Sequence, residues 1–463
     1  MGGPTASDQP TGAMTRATVP LQARLVRFSS AAGQHLFLVA GSRIFDVDAE
    51  TASAVDHALS LDDERQLPAA VGSLLRGASE RPTEPPAVPP ITALSLNLMQ
   101  ACNMGCGYCY AQQGTFGAAK RAMSPEVARA AVDRLLERAP SGRVVIAFMG
   151  GEPLLARHVL HDTTRYAWDA ARGSGRAVTF ALTTNATLIQ DRDAALFADY
   201  PFSVTVSIDG FPAAHDRQRP MANGAPSAAR VRDGIARLLA RRPRELTARV
   251  SVTAETGPLL PLLEYVFSLG FDSAGFAPVI AAPQPRFELR GEALARYTSE
   301  MIACGRHALR EWIAGRPCHF SNFEAAMSEL HRGSARAHPC GAGASYLSID
   351  ADGEAFACHR LVGERAFHYG SLRDGIDDAA RLAHLRGHAV DNQEPCRACW
   401  ARYLCGGGCY HEVAMRGRTA CDHVRGWLAF CLEAYSELSA ARPELFSAMP
   451  PDQALAGFVP SYD

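Results

Sequence analysis

Cys102, Cys106 and Cys109 stand together in the run CNMGCGYCY, with three and then two residues between them. Three thiolates so spaced can hold three irons of a 4Fe-4S cube and leave the fourth iron open to a small ligand. Structural zinc is the bland alternative, but zinc usually takes paired ligands and a fourth protein donor, which this loop does not show. A second group is longer: Cys340, twelve residues, Gly353, four residues and Cys358, then Cys396, Cys399, Cys405 and Cys409 with gaps of two, five and three, then Cys421 and Cys431. Read alone, four of these could serve one zinc. Thirteen cysteines are an odd number in a long chain without a secretory signal, which points to metal or redox chemistry rather than a disulfide framework. Cys304 reads as a buried small apolar residue.

These thiols need a scaffold. Between 91 and about 280, apolar runs at 92–98, 143–149, 177–182, 202–208, 246–252 and 273–279 alternate with amphipathic stretches at 124–138, 157–172, 228–240 and 259–269. Ser124 before Pro125 and Glu126 is a helix-start signature. Six such units predict an α/β fold, a parallel sheet curled into a partial (β/α)6 barrel whose site lies at the C-terminal strand ends. Residues 1–18 have no hydrophobic period and are expected to be disordered. Residues 19–82 read as a small unit of three strands and two helices, and 83–90 as a stiff Pro-rich linker. The barrel is assigned to 91–300, a helical bridge to 301–335, a cysteine-organised region with an Asp-Gly turn between two strands to 336–440, and a tail to 441–463.

The 463 residues carry a formal charge of −2, with 47% hydrophobic and 20% charged residues. No run approaches the roughly 18 to 20 apolar residues that span a bilayer, and the start MGGPTASDQP lacks the regions of a signal peptide. Ala6 also breaks the myristoylation pattern. A soluble, cytoplasmic protein with no membrane partner is expected. Near-neutral charge speaks against a nucleic-acid partner. Lys120 is the only lysine, so Arg241, Arg242 and Arg244 reflect a composition that spells surface cations as Arg.

The cysteine loop after the first barrel strand, with Tyr108 just before its third cysteine, resembles the signature of the radical SAM superfamily. That resemblance implies S-adenosylmethionine on the open iron and a 5'-deoxyadenosyl radical that abstracts a substrate hydrogen. FMGGEPLL, with Gly150, Gly151 and Glu152, resembles the family's methionine-binding segment, its glycines allowing close backbone approach to a ligand. Asn185 ends the third strand in TTNAT. By resemblance to peptide-modifying members, Ser207 would hold the ribose region, Arg219 the methionine carboxylate, and Ile280 would cover the adenine.

The order of the later cysteines resembles the SPASM extension of this superfamily, which holds two auxiliary 4Fe-4S clusters and would bring the total to three. It implies one cluster on Cys340, Cys358 and Cys409 and another on Cys396, Cys399, Cys405 and Cys421. The fourth ligand of the first is open: Cys318, or a site left to substrate. Cys431, at helical spacing beside Leu428, reads as packed.

SPASM enzymes mostly modify peptides or proteins, which implies a polypeptide substrate and an external electron donor such as a flavodoxin or ferredoxin. Residues 19–82 are similar to the winged element that grips a leader peptide as an added strand, here expected on a flexible tether. Sulfatase maturases carry an Asp where this chain has His359, which counts against formylglycine formation. The tail CRACWARYLCGGGCYHE looks most like the maturases of quinohemoprotein amine dehydrogenase, which form thioethers in a small Cys-rich subunit. Carbon-carbon crosslinking of ribosomal peptides and a non-enzymatic iron-sulfur electron carrier are the alternatives. His359, Asp209 and His215 are the candidates for handling a proton.

Overall fold

The computed structural model describes residues 19–78, 87–140, 142–316 and 318–447. The segment 1–18, half of the linker and the tail from 448 lie outside them. At the N-terminal side, β1 (Leu25–Ser30), β2 (Gly33–Leu38) and β3 (Arg43–Val47) form an antiparallel sheet in that order, followed by α1 (Ala49–Leu61) and α2 (Ala69–Gly77). Asp48 starts α1 by accepting the Thr51 N–H at 2.7 Å, satisfying one of the donors that every helix start leaves unpaired. Strand residues alternate between faces, and β2 buries both. Leu36 and Leu38 pack with Val55 and Val71 in the unit's own core, while Phe37 and Val39 enter the main core of the protein.

That second face overturns the flexible tether. Phe37 meets Trp400 edge-on at 6.2 Å, Ser42 Oγ donates to the Ser334 carbonyl at 2.6 Å, and the buried Arg402 donates to the Ala23 carbonyl. Whatever freedom the linker has, apolar burial on the far side of β2 docks the unit against the cysteine-rich region.

The barrel follows: β4 (Ala93–Met99), α3 (Pro125–Arg138), β5 (Arg143–Gly150), α4 (Arg157–Gly173), β6 (Ala177–Thr184), α5 (Asp191–Asp199), β7 (Phe202–Ser207), α6 (Pro212–Gln218), α7 (Ala228–Ala240), β8 (Glu245–Val252), α8 (Leu259–Ser268) and β9 (Ser273–Pro278). The six strands are parallel and in chain order. All six strands read from the sequence are present. The sequence does not announce the short α5 and α6, of nine and seven residues. Along β5, Val144, Ile146 and Phe148 pack outward under the helices, and Val145, Ala147 and Met149 face a cavity inside the barrel.

Beyond the barrel lie α9 (Gly291–Ile313), α10 (Ser321–His331), β10 (Tyr346–Ile349), β11 (Glu354–Phe356), β12 (His368–Ser371), β13 (Gly375–Ile376), α11 (Asp378–His388), α12 (Arg402–Cys405), α13 (Tyr410–Arg416) and α14 (Cys421–Ala441). The hairpin strands do not stand apart. β10 pairs in parallel with β4, so one ten-stranded sheet runs from β13 through β10 and β4 to β9. Ser348 anchors the seam, taking hydrogen bonds from Ser95 Oγ at 2.9 Å and Asn97 Nδ2 at 2.7 Å. Cys340 and Cys358 therefore flank strands laid directly against the strand that carries the first cysteine loop. Among the described residues no helix is long and apolar enough to cross a membrane.

Candidate active site

A cavity of about 480 Å³ lies inside the barrel, and Cys102, Cys106 and Cys109 form part of its wall. The loop that carries them is wedged in place by glycine. A Cβ on Gly151 would stand 2.2 Å from the Ala101 carbonyl oxygen, and one on Gly150, at φ 136°, would stand 2.6 Å from that of Met99. The same two carbonyls accept hydrogen bonds: Gly151 N–H donates to Met99 at 2.8 Å and Glu152 N–H to Ala101 at 3.0 Å. The close approach expected toward a ligand is thus first an approach to the backbone leading into Cys102, although both glycines also line the cavity.

Glu152 is buried and accepts from Thr184 Oγ1 at 2.8 Å, Asn185 N–H at 2.8 Å and Leu154 N–H at 3.2 Å. Burial pushes its carboxyl above the usual range, against the pull of these donors. It ties the ends of β5 and β6 together. Asn185 in turn directs Nδ2 toward Cys102 Sγ at 3.7 Å and Asn103 Oδ1 at 2.9 Å.

Tyr108, Asp209 and Arg219 form a buried triad behind the loop. Tyr108 donates its hydroxyl to Asp209 and accepts from Arg219 Nη1 at 2.6 Å. Arg219 pairs with Asp209 Oδ1 at 3.6 Å, and Ser251 N–H donates to that same oxygen at 3.2 Å. Burial raises the Asp209 carboxyl, while Arg219 and these donors oppose it. Asp209 does not line the cavity, and with its two oxygens so engaged it reads as a positioning group rather than the proton carrier expected from the sequence. His215 is likewise set back: its Nδ1 accepts the Asp209 N–H at 3.1 Å, and burial lowers it to about 3. Arg219 and Ser207 do face the cavity. Ile280 does not. It is buried in the main core, and the residues of that segment on the cavity wall are Val279 and Ala281.

Burial raises the Cys102 thiol to about 12 and the Cys106 thiol to about 11, with Arg219 pulling the latter down. Thiols of this kind ionise only when a cation compensates them, and three grouped thiols on a cavity wall beside Arg219 fit the donor set of an iron-sulfur cluster. The later cysteines group as well. Burial raises Cys396 to about 11, opposed by Arg418, with Cys405, Cys421 and Cys399 near enough to raise it further. Cys340, Cys409 and Cys358 all bear on the Tyr410 hydroxyl, which burial pushes well up. Among the described residues no three His, Cys, Asp or Glu side chains converge on a single metal ion; the thiolates of a cube bind different irons. Cys431 is fully buried in α14. Cys318, one of the two options for the fourth ligand, lies beside Cys304 in the main core.

Sequence reasoning missed a junction between the two cysteine groups. Tyr110, His359, Arg360 and Glu412 all line the cavity. Arg360 lies 5.0 Å over the Tyr110 ring, pairs with Glu412 at 3.2 Å, and donates to Cys409 Sγ at 3.7 Å. His359 is buried, and its Nδ1 meets the Tyr346 hydroxyl at 2.8 Å. The signal was available in the numbering: Tyr110 follows Cys109, and His359 and Arg360 follow Cys358.

Residues 96–253 match the family model of the radical SAM superfamily. The match spans β4 to β8 of the barrel, an α/β fold around a mostly parallel sheet. The chain is 27% identical over 343 residues to a serine-type anaerobic sulfatase-maturating enzyme of Klebsiella aerogenes, covering 70% of this chain and 81% of that protein. Its fold is similar to that of anSMEcpe with bound AdoMet, at a TM-score of 0.66 and 18% identity over 78% of this chain and 98% of that one. It is also similar to that of Streptococcus suis SuiB bound to S-adenosylmethionine, at a TM-score of 0.51 and 13% identity over 84% and 95% of the two chains.

Proposed function

We propose that this protein is a radical SAM maturase that modifies a polypeptide, and that the modification is a crosslink between a Cys sulfur and a methylene carbon of an Asp or Glu. One observation carries the reading: Cys102, Cys106 and Cys109 share one cavity with Tyr110 beside Cys109, His359 and Arg360 after Cys358, and Glu412 three residues after Cys409. The relatives support the polypeptide substrate, since a sulfatase-maturating enzyme acts on a protein and SuiB has been seen with a precursor peptide. Cys102, Cys106 and Cys109 would hold a 4Fe-4S cluster, with two further clusters on Cys340, Cys358 and Cys409 and on Cys396, Cys399, Cys405 and Cys421. With S-adenosylmethionine, such a cluster supplies a carbon radical able to take a hydrogen atom.

The chain's own residues then have distinct tasks. Arg219, held by Tyr108 and Asp209, presents a fixed cation to a carboxylate in the cavity. Ser207 and Asn185 offer polar contacts at the ends of β7 and β6, Val279 and Ala281 an apolar wall, and His359 a buried imidazole able to accept the thiol proton. A flavodoxin or ferredoxin would be the outside electron donor.

Forming one thioether breaks one C–H and one S–H bond and makes one C–S bond. Mass spectrometry of the treated polypeptide should show a loss of about 2 Da per bond, with the participating Cys no longer alkylatable. Oxidation of a serine is a second reading, favoured by the sulfatase-maturating relatives. It would give the same loss with every Cys still alkylatable and a new aldehyde. A carbon-carbon crosslink would give neither blocked Cys nor aldehyde.

A further inference from the structure

Arg360 touches both cysteine groups. Its guanidinium donates to Cys409 Sγ at 3.7 Å, lies 5.0 Å over the ring of Tyr110, the residue after Cys109, and pairs with Glu412 Oε1 at 3.2 Å. Both charged side chains are largely buried, at 12% and 18% exposure, so water screens them weakly. Arg keeps its charge at any working pH, and its planar fork can serve several acceptors at once. Neither the radical SAM match nor the wall of the first cysteine loop requires a cation here.

We propose that Arg360 and Glu412 form a charge pair that sets the reduction potential of the auxiliary cluster on Cys340, Cys358 and Cys409. This rests on the reading of those three cysteines as ligands. Reduction adds negative charge to a cluster, so a neighbouring cation that also hydrogen-bonds a ligand sulfur favours the reduced form and raises the potential. A neighbouring carboxylate works the other way. Arg360 is in this sense a positioning residue: it acts through Cys409, and its contact with Tyr110 places the tuned centre next to the loop of the first cluster. An auxiliary centre so tuned would be the acceptor for the electron that crosslink formation leaves behind.

The test is a redox titration of the anaerobically reconstituted full-length protein, followed by electron paramagnetic resonance, with Arg360→Met, Arg360→Lys and Glu412→Gln beside the parent. Arg360→Met should lower the midpoint potential of one auxiliary centre, Glu412→Gln should raise it, and Arg360→Lys, which keeps the charge, should fall between Arg360→Met and the parent. The centre on Cys396, Cys399, Cys405 and Cys421 should stay where it is. Shifts of the same sign in Arg360→Met and Glu412→Gln, equal shifts in both auxiliary centres, or no shift would overturn the proposal. Replacing Cys340, Cys358 and Cys409 by Ala separates the two levels: if that removes no iron, the ligand reading fails and the tuning with it. If iron is lost but the three point variants titrate like the parent, only the role of Arg360 falls.

Discussion

The loop of Cys102, Cys106 and Cys109 and the array from Cys396 to Cys421 hold their thiols by opposite means. The first is gripped by a scaffold that has its own reasons to exist. Gly150 and Gly151 press β5 against the loop, Glu152 knots β5 to β6, and Asn185 reaches across to Cys102. The second has little regular structure between α11 and α14: two single 3-10 turns and two helices of four and seven residues. Gly406, Gly407 and Gly408 take φ of 71°, 97° and 82°, which turns the N–H groups of Gly407 and Gly408 onto Cys405. A preformed socket tolerates the loss of its metal; a loop folded around thiols depends on it.

The comparison breaks most visibly when thiols are removed. Replacing Cys102, Cys106 and Cys109 by Ala should remove about four of about twelve irons and abolish deoxyadenosine formation under dithionite, with the circular dichroism of the barrel retained. Replacing Cys396, Cys399, Cys405 and Cys421 should remove a similar share of iron, leave uncoupled cleavage of S-adenosylmethionine in place, and cost expression or solubility. Cleavage lost equally in both variants would remove the distinction.

Stripping the metal sharpens it. In chelator-treated protein, amide protection in 390–421 should fall on the order of a hundredfold, while β4 to β8 should change far less. Hydrogen exchange read by mass spectrometry gives both regions in one experiment, and equal loss in both would show that the barrel too is built around its cluster.

Single glycines probe the same contrast more gently. Gly151→Ala puts a methyl 2.2 Å from the Ala101 oxygen, and Gly406→Ala one at the same distance from the His338 oxygen. Each collision with fixed backbone should cost about 1–3 kcal/mol, and Gly406 adds roughly 1–2 kcal/mol for its left-handed backbone. The first variant should lose first-cluster iron and cofactor cleavage; the second should melt earlier by several degrees with cleavage kept.

The two regions also differ in how far their sequences could be read. Six barrel strands announce themselves by local apolar runs, and the cysteine spacings of both groups are local facts. What stayed hidden is non-local. Nothing in the tetrapeptide of β10 says that it pairs with β4, over 250 residues away, and nothing in β2 says that Phe37 meets Trp400. Asp209, a candidate for handling a proton, is engaged by Tyr108, Arg219 and the Ser251 N–H, which come from three separate segments. Ile280 is flanked by the two residues that do reach the cavity wall, Val279 and Ala281, a difference that the sequence just past the end of β9 does not encode.

The smallest effect concerns pH, and it sets one histidine from each region side by side. Burial lowers His384 to about 3, helped by His388 and His338, and lowers His215 to about 3, helped by Arg219 and opposed by Asp216. His384 is packed against His388 at 4.1 Å, Tyr410 at 4.8 Å and Phe367 at 5.5 Å. In the unfolded chain each imidazole titrates near its ordinary value, about 6.5. The unfolded state therefore binds a proton that the folded state refuses throughout the window from about 6.5 down to about 3, so stability is full above that window and is lost as pH falls through it. Between about pH 7 and 5 each histidine should cost on the order of 2 kcal/mol. His384→Phe and His215→Phe should each flatten the fall in melting temperature over that range, whatever they do to its value at pH 7. Because acid also protonates cluster thiolates, the reading is the difference in slope from the parent at matched iron content. If the contrast between the two regions is right, the slope change from His215→Phe should persist in chelator-treated protein, where the barrel still folds, and that from His384→Phe should vanish with the cluster-dependent region around it.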